Sequence, residues 1–377
     1  MRARKPAWKR SPNQKKAHLR KRRPRLPRRK SHIQKAADRE WLPKERVLMQ
    51  LEVPLHVYRS RAMNTDIEAV WERQALRKST SLEKIVDKWF QVVEQRFSRF
   101  IPDSELSYLN RRSGSLTLVS GAMVEVLSLA DTFHIQTEGI FSPFVYDALH
   151  AAGYSQSYDI VKQADAVTSG GPSFGAYSMT IHPGMKAVQL HTGTRLDLGG
   201  IVKGWSAEKL GDKLKLTYGV RRGLVNAGGD VQVWGGSSAQ EPWNIGISSP
   251  WHPEEELALV SLRDGAVATS SVYGRRWNHI KHGVQHHLID PRTMRPGRSD
   301  VVQCSIVGDS LISCESWAKV ICLLGLERGL ALLQAKCPRM EALIVSKTGD
   351  LHLLRRHQQE KERWETEHVD FIHEAAN

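Results

Sequence analysis

The segment Leu196-Asp197-Leu198-Gly199-Gly200-Ile201-Val202-Lys203-Gly204 predicts a turn that joins a strand to a helix. Its glycines let a phosphate or a metal ion approach the backbone, and the N-terminus of the following helix favours anions. Lys203 adds a positive charge at the same place. The segment therefore indicates an anion site, although a glycine-rich turn of this kind is more often only a tight turn.

The sequence on either side of this segment predicts an α+β fold. Amphipathic helices are predicted over residues 82–97 and after an N-cap at Ser120, and further helices near 203–214 and 310–335. Short runs bounded by glycines predict strands, at residues 187–190, 223–226, 231–234, 243–247, 257–262, 301–307 and 342–345. Because the helices are grouped between runs of strands, the pattern differs from a regular βαβ alternation. An additional strand is predicted at residues 47–53 and a Gly/Ser-rich loop at 169–173.

Three more clusters carry polar or glycine residues at strand ends. Asn226-Ala227-Gly228-Gly229-Asp230 is compatible with a phosphate contact or with a simple bulged hairpin. Thr269 and Ser270 could bind phosphate through hydroxyls and amides, or could cap a turn. His287 and Asp290 follow three further histidines (His279, His282, His286), which suggest metal ligands, yet hairpin alternation would place them on both faces.

The positive charge lies in one part of the chain. The protein has 377 residues and a formal net charge of +15, and residues 1–47 contain nineteen Lys or Arg against three Asp or Glu. The remaining residues carry a net charge of −1. Residues 1–46 contain too few apolar side chains to offset their ordering entropy, so a disordered basic tail is predicted there. Such a tail suits an anionic partner such as phosphate, RNA or anionic lipid, or it is only a solvated extension.

Cysteine usage and hydropathy bear on the compartment. All four cysteines lie between residues 304 and 337 without a CxxC pair, which is typical of buried free thiols in a reducing compartment. No apolar run approaches the length of a transmembrane helix. The sequence therefore predicts a cytoplasmic protein without a transmembrane segment. The charged end, residues 355–377, is predicted as a solvated helix or tail.

The order of these clusters resembles the ApbE family, the FAD:protein FMN transferases. The resemblance covers about residues 47–350, and its stretches are residues 62–65, 97–106, 137–143, 197–204, 226–230, 268–271, 287–291 and the helix at 314–325. It implies an ApbE-like (T-fold-like) α+β domain over residues 47–354, with mixed or antiparallel sheets and packed helices. It also implies that FMN is moved from FAD to a Thr or Ser hydroxyl of a target flavoprotein, with release of AMP.

The resemblance also implies a set of site residues. FAD contacts fall on Met63, Ile140, Phe141, Ser142, Asp197, Lys203 and His287, to which the clusters add Asn226, Gly228, Gly229, Asp230, Thr269 and Ser270. Lys203 would offset charge on the pyrophosphate, and His287 would accept the proton of the incoming hydroxyl. Magnesium would be held by the Gly200 carbonyl and by the side chains at positions 315 and 319.

The sequence departs from the family at the metal end of this site. Family members carry Asp and Thr where this chain has Glu315 and Lys319. Glu315 can bind magnesium, whereas the Lys319 ammonium offers only donors and could instead occupy part of the metal's place. Ser142, Phe144, Asn64 and Met294 are further substitutions. These substitutions leave two alternative hypotheses, a catalytically weakened FAD-binding protein and an FAD pyrophosphatase. A third alternative is a nucleic-acid- or membrane-associated factor that acts through its basic tail.

Overall fold

The computed structural model describes residues 55–72, 81–163, 178–236, 242–356 and 363–374. The predicted basic tail, the strand candidate at 47–53 and the Gly/Ser-rich loop at 169–173 lie outside the described residues. The described residues all belong to one compact unit. No helix in the described part of the chain is long and apolar enough to cross a membrane.

The largest sheet among the described residues has nine strands. Its members, numbered in chain order and given in spatial order, are β1 (Leu55–Ala62), β2 (Thr65–Glu72), β6 (Gly223–Ala227), β7 (Asp230–Trp234), β10 (Gly265–Ser271), β15 (Val301–Gly308), β16 (Glu341–Ser346), β17 (Leu351–Arg355) and β19 (Phe371–Glu374). Neighbouring strands are antiparallel except β17 and β19, which are parallel.

Smaller sheets complete the strand content of the described residues. They are formed by β3 (Leu116–Leu118), β4 (Met179–His182) and β5 (Ala187–Leu190), by β8 (Trp243–Ser248), β9 (Glu256–Leu262) and β18 (Trp364–Glu365), and by the pairs β11 (Arg276–His279) with β12 (Gly283–His286) and β13 (Ile289–Asp290) with β14 (Arg295–Pro296). Together with the large sheet they confirm the α+β class.

The described residues include the helices predicted from apolar spacing and capping, and three short helices that were not predicted. They are α1 (Leu82–Phe97), α2 (Glu105–Arg111), α3 (Gly121–Gln136), α4 (Tyr146–Ala151), α5 (Tyr158–Val161), α6 (Val202–Tyr218), α7 (Leu311–Leu324) and α8 (Leu326–Lys336). The three that were not predicted are α2, α4 and α5. Ser120 caps α3 by accepting from the Met123 N–H, as predicted. The helix predicted near 310–335 is two helices, because Gly325 adopts a φ of 87° between α7 and α8.

The two faces of the nine-stranded sheet bury different partners, as alternation along a strand requires. On one face Ala69, Val225, Ala268 and Ile306 join the core formed with the helices. On the other face Val70, Val233, Val267 and Val307 pack with β8, β9 and β18, which contribute Trp243, Val260 and Trp364. The sheet is therefore enclosed between a helical layer and a small three-stranded sheet.

The end of the chain differs from the predicted charged helix or tail. Residues 364–365 form β18, which pairs with β9, and residues 371–374 form β19, which pairs with β17. Trp364 explains part of this difference, because its buried indole donates to the Glu341 carboxylate at 2.5 Å. The prediction was wrong over these residues because it weighed charge content more than the isolated apolar side chains.

Candidate functional site

The turn from Leu196 to Gly204 is held in place through its backbone. The Asn110 side chain accepts from the Leu196 N–H at 2.8 Å and donates to the Leu196 carbonyl at 3.0 Å. The Asp197 N–H donates to the Pro143 carbonyl at 2.9 Å, and α6 begins five residues later at Val202. This turn therefore connects the segment around Pro143 with the start of α6.

Two glycines of this turn face α7 at close range. A Cβ atom on Gly204 would lie 2.8 Å from Glu315 Oε2 and 3.1 Å from the Leu311 carbonyl oxygen. A Cβ atom on Gly200 would lie 3.5 Å from Lys319 Cε and 3.7 Å from Phe141 Cε2. Gly204 is therefore required by sterics, whereas at Gly200 a small side chain would be in ordinary contact.

Four charged side chains meet between α6, β7 and α7. The Lys203 ammonium contacts the Asp230 carboxylate and lies 3.1 Å from Glu315 Oε1. Lys319 Nζ lies 3.0 Å from the same Glu315 oxygen and donates to the Glu315 carbonyl at 3.1 Å. Glu315 Oε2 accepts from the Gly204 N–H at 2.8 Å. We call Lys203, Asp230, Glu315 and Lys319 the charged cluster.

Burial and charge compete in the charged cluster. Glu315 has no exposed surface, and burial alone would raise its pKa, but Lys203, Lys319 and the Gly204 N–H together lower that pKa below its usual value. Burial lowers the pKa of Lys203 to about 8, with Lys319 and Arg275 acting in the same direction and Glu315 against it. The cluster thus holds a stable carboxylate and a lysine that titrates not far above neutral pH.

Asp197 is engaged by a residue that the sequence did not single out. Its carboxylate lies 2.6 Å from Arg99 Nε and accepts from the Gly199 N–H at 3.0 Å. Arg99 also donates to the Tyr154 carbonyl at 2.7 Å and lies over the Phe100 and Tyr154 rings. Arg99 occurs in the family-like stretch 97–106, but its partner is far along the chain, so no local pattern signals the pair.

The β6–β7 turn lies against the β1–β2 turn. Asn226 Oδ1 accepts from the Gly229 N–H at 2.9 Å, and the Gly228 N–H donates to the Asp66 carbonyl at 3.0 Å. Gly228 has a φ of 68°, and a Cβ atom there would overlap the Thr65 hydroxyl. Met63, in the β1–β2 turn, has its sulfur 4.0 Å from the Ser206 hydroxyl of α6. The structure therefore brings the two turns and α6 together.

His287 is hydrogen-bonded to the backbone of Arg275 and is within electrostatic range of Lys319. Burial lowers the pKa of His287 well below its usual value, and the positive charges of Arg275 and Lys319 add to that shift. The buried Nδ1 atom of His287 has no hydrogen-bond partner among the described residues. The imidazole is therefore neutral at neutral pH and has one buried ring nitrogen without a hydrogen bond in the described part of the chain. Arg275 was not identified from the sequence.

A cavity of about 240 Å³ adjoins the segment from Ile140 to Ser142. Its lining joins two regions distant in sequence, namely His134, Glu138, Gly139, Ser142 and Phe144 with Pro291, Arg292 and Met294. The Phe141 carbonyl contacts His134 Nδ1 at 2.9 Å, and the Ser142 hydroxyl accepts from the Phe144 N–H at 3.2 Å. Ile140 and Phe141 are buried in the hydrophobic core, and of this segment only Ser142 lines the cavity.

Thr269 and Ser270 lie on β10, next to the strand that carries Asp230. The Thr269 hydroxyl is 2.8 Å from the Ser305 hydroxyl on β15, so it is already engaged by a neighbouring strand. The Ser270 side chain is buried, and its carbonyl accepts from the Cys322 thiol at 3.4 Å. The Thr269 hydroxyl is therefore turned to β15. The predicted site residues that the structure does bring into direct proximity are Lys203, Asp230, Gly200, Phe141, Glu315 and Lys319.

The residues at the implied metal position do not fit a divalent cation. Magnesium takes oxygen ligands, but both Glu315 oxygens accept from nitrogen donors and Lys319 offers no lone pair. Within the described ranges no group of three or more His, Cys, Asp or Glu side chains is placed to hold a metal. The Gly200 carbonyl alone is too small a ligand set. An ammonium group stands at this position instead.

The chain is similar to known flavin transferases. The profile of the ApbE family matches residues 63–344. The FAD:protein FMN transferase of Vibrio cholerae is 26% identical over 284 residues, which cover 74% of this chain and 83% of that protein. The FAD:protein FMN transferase of Treponema pallidum is 28% identical over 289 residues, which cover 71% and 79% respectively.

Solved structures have the same fold. The flavin transferase ApbE from Vibrio cholerae superimposes with a TM-score of 0.66 at 24% identity, covering 79% of this chain and 96% of that chain. The ApbE protein from Thermotoga maritima gives a TM-score of 0.69 at 22% identity, with coverage of 79% and 96%. These matches confirm the predicted ApbE-like architecture.

Proposed function

The chain belongs to the ApbE family, and from that membership we propose that it is an FAD:protein FMN transferase. In the proposed reaction a Thr or Ser hydroxyl of a target flavoprotein attacks the phosphorus on the FMN side of the FAD pyrophosphate. The bond from that phosphorus to the oxygen of the AMP phosphate breaks, and AMP leaves. FMN remains on the target protein through a phosphoester.

The charged cluster beside the glycine-rich turn is the observation that carries this proposal. Lys203 and Lys319 both contact one oxygen of the buried Glu315 carboxylate, at 3.1 and 3.0 Å. A dianionic pyrophosphate needs preorganised positive charge, and the N-terminus of α6 adds a favourable dipole. Phosphoryl transfer depends mainly on such positioning and charge stabilisation.

His287 is the proposed proton acceptor for the incoming hydroxyl. Its lowered pKa keeps the imidazole neutral, and its Nδ1 atom has no hydrogen-bond partner in the part of the chain that the structure describes. A neutral imidazole close to a reacting hydroxyl can take the proton as the oxygen–phosphorus bond forms. Lys203 and Lys319 would stabilise the charge that develops on the phosphate oxygens.

The remaining FAD contacts are proposed from the family resemblance and from the polar and glycine clusters of the sequence. They are Met63, Ile140, Phe141, Ser142, Asp197, Asn226, Gly228, Gly229, Asp230, Thr269 and Ser270. The Thr269 hydroxyl is engaged by Ser305, so Thr269 would act through its backbone. Gly200, Glu315 and Lys319 do not form a suitable magnesium site, and no step of the proposed reaction passes through a metal.

The experiment combines the full chain with FAD and a protein that another family member flavinylates on threonine. We expect AMP release and a covalent FMN adduct on the acceptor, measured by chromatography and mass spectrometry. His287→Ala should abolish transfer while FAD binding, measured by calorimetry, persists. AMP and free FMN without an adduct would identify a pyrophosphatase, and bound FAD without AMP would identify an inactive binding protein.

Two proposals about the cellular setting rest on the sequence. Residues 1–46 would contact an anionic partner, which a salt-dependent binding assay of the full chain against a chain starting at Arg46 would test. A cytoplasmic location would suit the four free cysteines, of which Cys304, Cys314 and Cys322 are buried. Fractionation of cells that express the protein would test the location.

A further inference from the structure

We propose that the Lys319 ammonium takes the place of a divalent cation, so that this protein binds the FAD pyrophosphate without metal. The inference rests on the proposed function, because it concerns the same substrate at the same site. It concerns Glu315 and Lys319, the two positions at which this chain departs from the family's ligand set.

The position of Lys319 is fixed by its own helix. Lys319 follows Glu315 by one turn of α7, and its ammonium binds both the Glu315 side chain and the Glu315 carbonyl. Its aliphatic carbons Cδ and Cε lie 3.6 and 3.5 Å from a Cβ atom placed on Gly200. Only 13% of the side-chain surface is exposed, so the ammonium is held between the turn and the helix.

Glu315 acts here as a positioning residue for two cations. One of its oxygens holds Lys203 and Lys319 together, and the other fixes the N-terminal part of α6 through the Gly204 N–H. A divalent cation would have to displace an ammonium from that carboxylate, and two like charges are costly to hold together in a buried site. The carboxylate therefore favours the lysines over a metal.

The charged cluster has no net charge of its own, and Arg275 is an additional positive charge nearby. The two lysines are offset by Asp230 and Glu315, and Arg275 lies close enough to influence Lys203 and His287 electrostatically. Each ammonium carries three N–H groups and contacts two oxygens of the cluster, so one donor of each lysine remains. A pyrophosphate can accept these donors, and Arg275 is the further cation nearby.

The test is a calorimetric titration of FAD into the full chain, once with a chelator and once with millimolar Mg²⁺. We expect the wild-type dissociation constant to differ by less than about threefold between the two conditions. Lys319→Met keeps the aliphatic stem and removes the charge, and it should weaken FAD binding about ten- to hundredfold in chelator. Lys336→Met, an exposed lysine at the end of α8, is the matched control and should bind like wild type.

A second variant makes the test independent of Lys319→Met folding. The double variant Glu315→Asp, Lys319→Thr restores oxygen ligands, and it should bind Mn²⁺, observed by electron paramagnetic resonance, where the wild type does not. Wild-type FAD binding that requires Mg²⁺ would overturn this inference and leave the proposed function intact. Lys319→Met binding FAD as tightly as wild type in chelator would also overturn it. FAD binding under neither condition would overturn the proposed function itself.

Discussion

The glycine-rich turn from Leu196 to Gly204 contacts the N-terminal half of α7 through the bond from the Gly204 N–H to Glu315. The two regions differ in how far their residues depart from the family. The turn keeps the family's Asp197, Gly199, Gly200, Lys203 and Gly204, whereas α7 carries a different pair of residues at 315 and 319. In the turn the backbone itself makes the close approach, so at Gly204 a side chain has no space. On α7 the side chains supply charge, and a different charged side chain at the same position can take that role.

The largest effect is expected on the α7 side. Glu315→Ala removes the buried counter-charge of Lys319 and leaves Lys203 with Asp230 alone, which should lower the free energy of unfolding by about 3–5 kcal/mol. Urea denaturation would measure it. Glu327→Ala, at an exposed position on α8, is the control and should change stability by less than about 0.5 kcal/mol. An unchanged urea midpoint for Glu315→Ala would show that the carboxylate does not hold the lysines.

Gly204→Ala tests the steric requirement on the turn side. Alanine normally favours a helix, but here its Cβ atom would meet Glu315 Oε2 at 2.8 Å and the Leu311 carbonyl at 3.1 Å. We expect a loss of about 1–3 kcal/mol in the free energy of unfolding. Gly121→Ala, in α3 with no atom within 4 Å of the added Cβ, should instead gain about 0.5 kcal/mol. Equal effects of the two substitutions would contradict the close approach of α6 and α7.

The pH dependence of FAD binding tests the electrostatics of the charged cluster. The groups around Lys203 are Asp230, Glu315, Lys319 and Arg275, and the pKa of Lys203 is about 8. The charged form binds the pyrophosphate, so affinity should be retained below that pKa and fall about tenfold between pH 7 and pH 9. Lys203→Arg keeps its charge over this range and should flatten the profile. A wild-type affinity that stays constant to pH 9 would place Lys203 outside the binding site.

The smallest effect concerns Asn64, which replaces the family's glycine in the β1–β2 turn. Asn64 has a φ of 58°, and asparagine tolerates this left-handed conformation better than most residues. Asn64→Gly should therefore change the free energy of unfolding by less than about 0.5 kcal/mol, whereas Asn64→Val should cost about 1–2 kcal/mol. Thermal melting of the two variants would measure the difference. Similar melting temperatures would show that the turn can relax.

Local patterns predicted most of the framework, because they depend on neighbouring residues. The apolar spacing of α1 and the Ser120 cap of α3 were sufficient to predict these helices, and glycine-bounded runs predicted the strands. The meeting of Lys203 with Glu315 was implied only by the family resemblance, since 112 positions separate the two residues in the chain. No spacing rule connects residues so far apart.

Arg99 and Arg275 show what the sequence could not provide. Arg99 looks like an ordinary basic residue in sequence, yet its pairing with Asp197 at 2.6 Å is almost fully buried. Arg275 lies in a segment with several charged and polar residues, and only folding places it beside His287. For β19, the pair Phe371-Ile372 within a charged segment was the available signal.

The strand order of the large sheet has a consequence for synthesis on the ribosome. From β1 to β19 each strand neighbours the sheet strand that precedes it in the chain, so pairing can advance as the polypeptide emerges. The charged cluster cannot assemble step by step in this way, because Glu315 is synthesised 111 residues after Gly204. At typical elongation rates this is a delay of about 5–20 s. During that interval Asp230 is the member of the charged cluster already available to Lys203, and the nascent protein carries a half-built pocket.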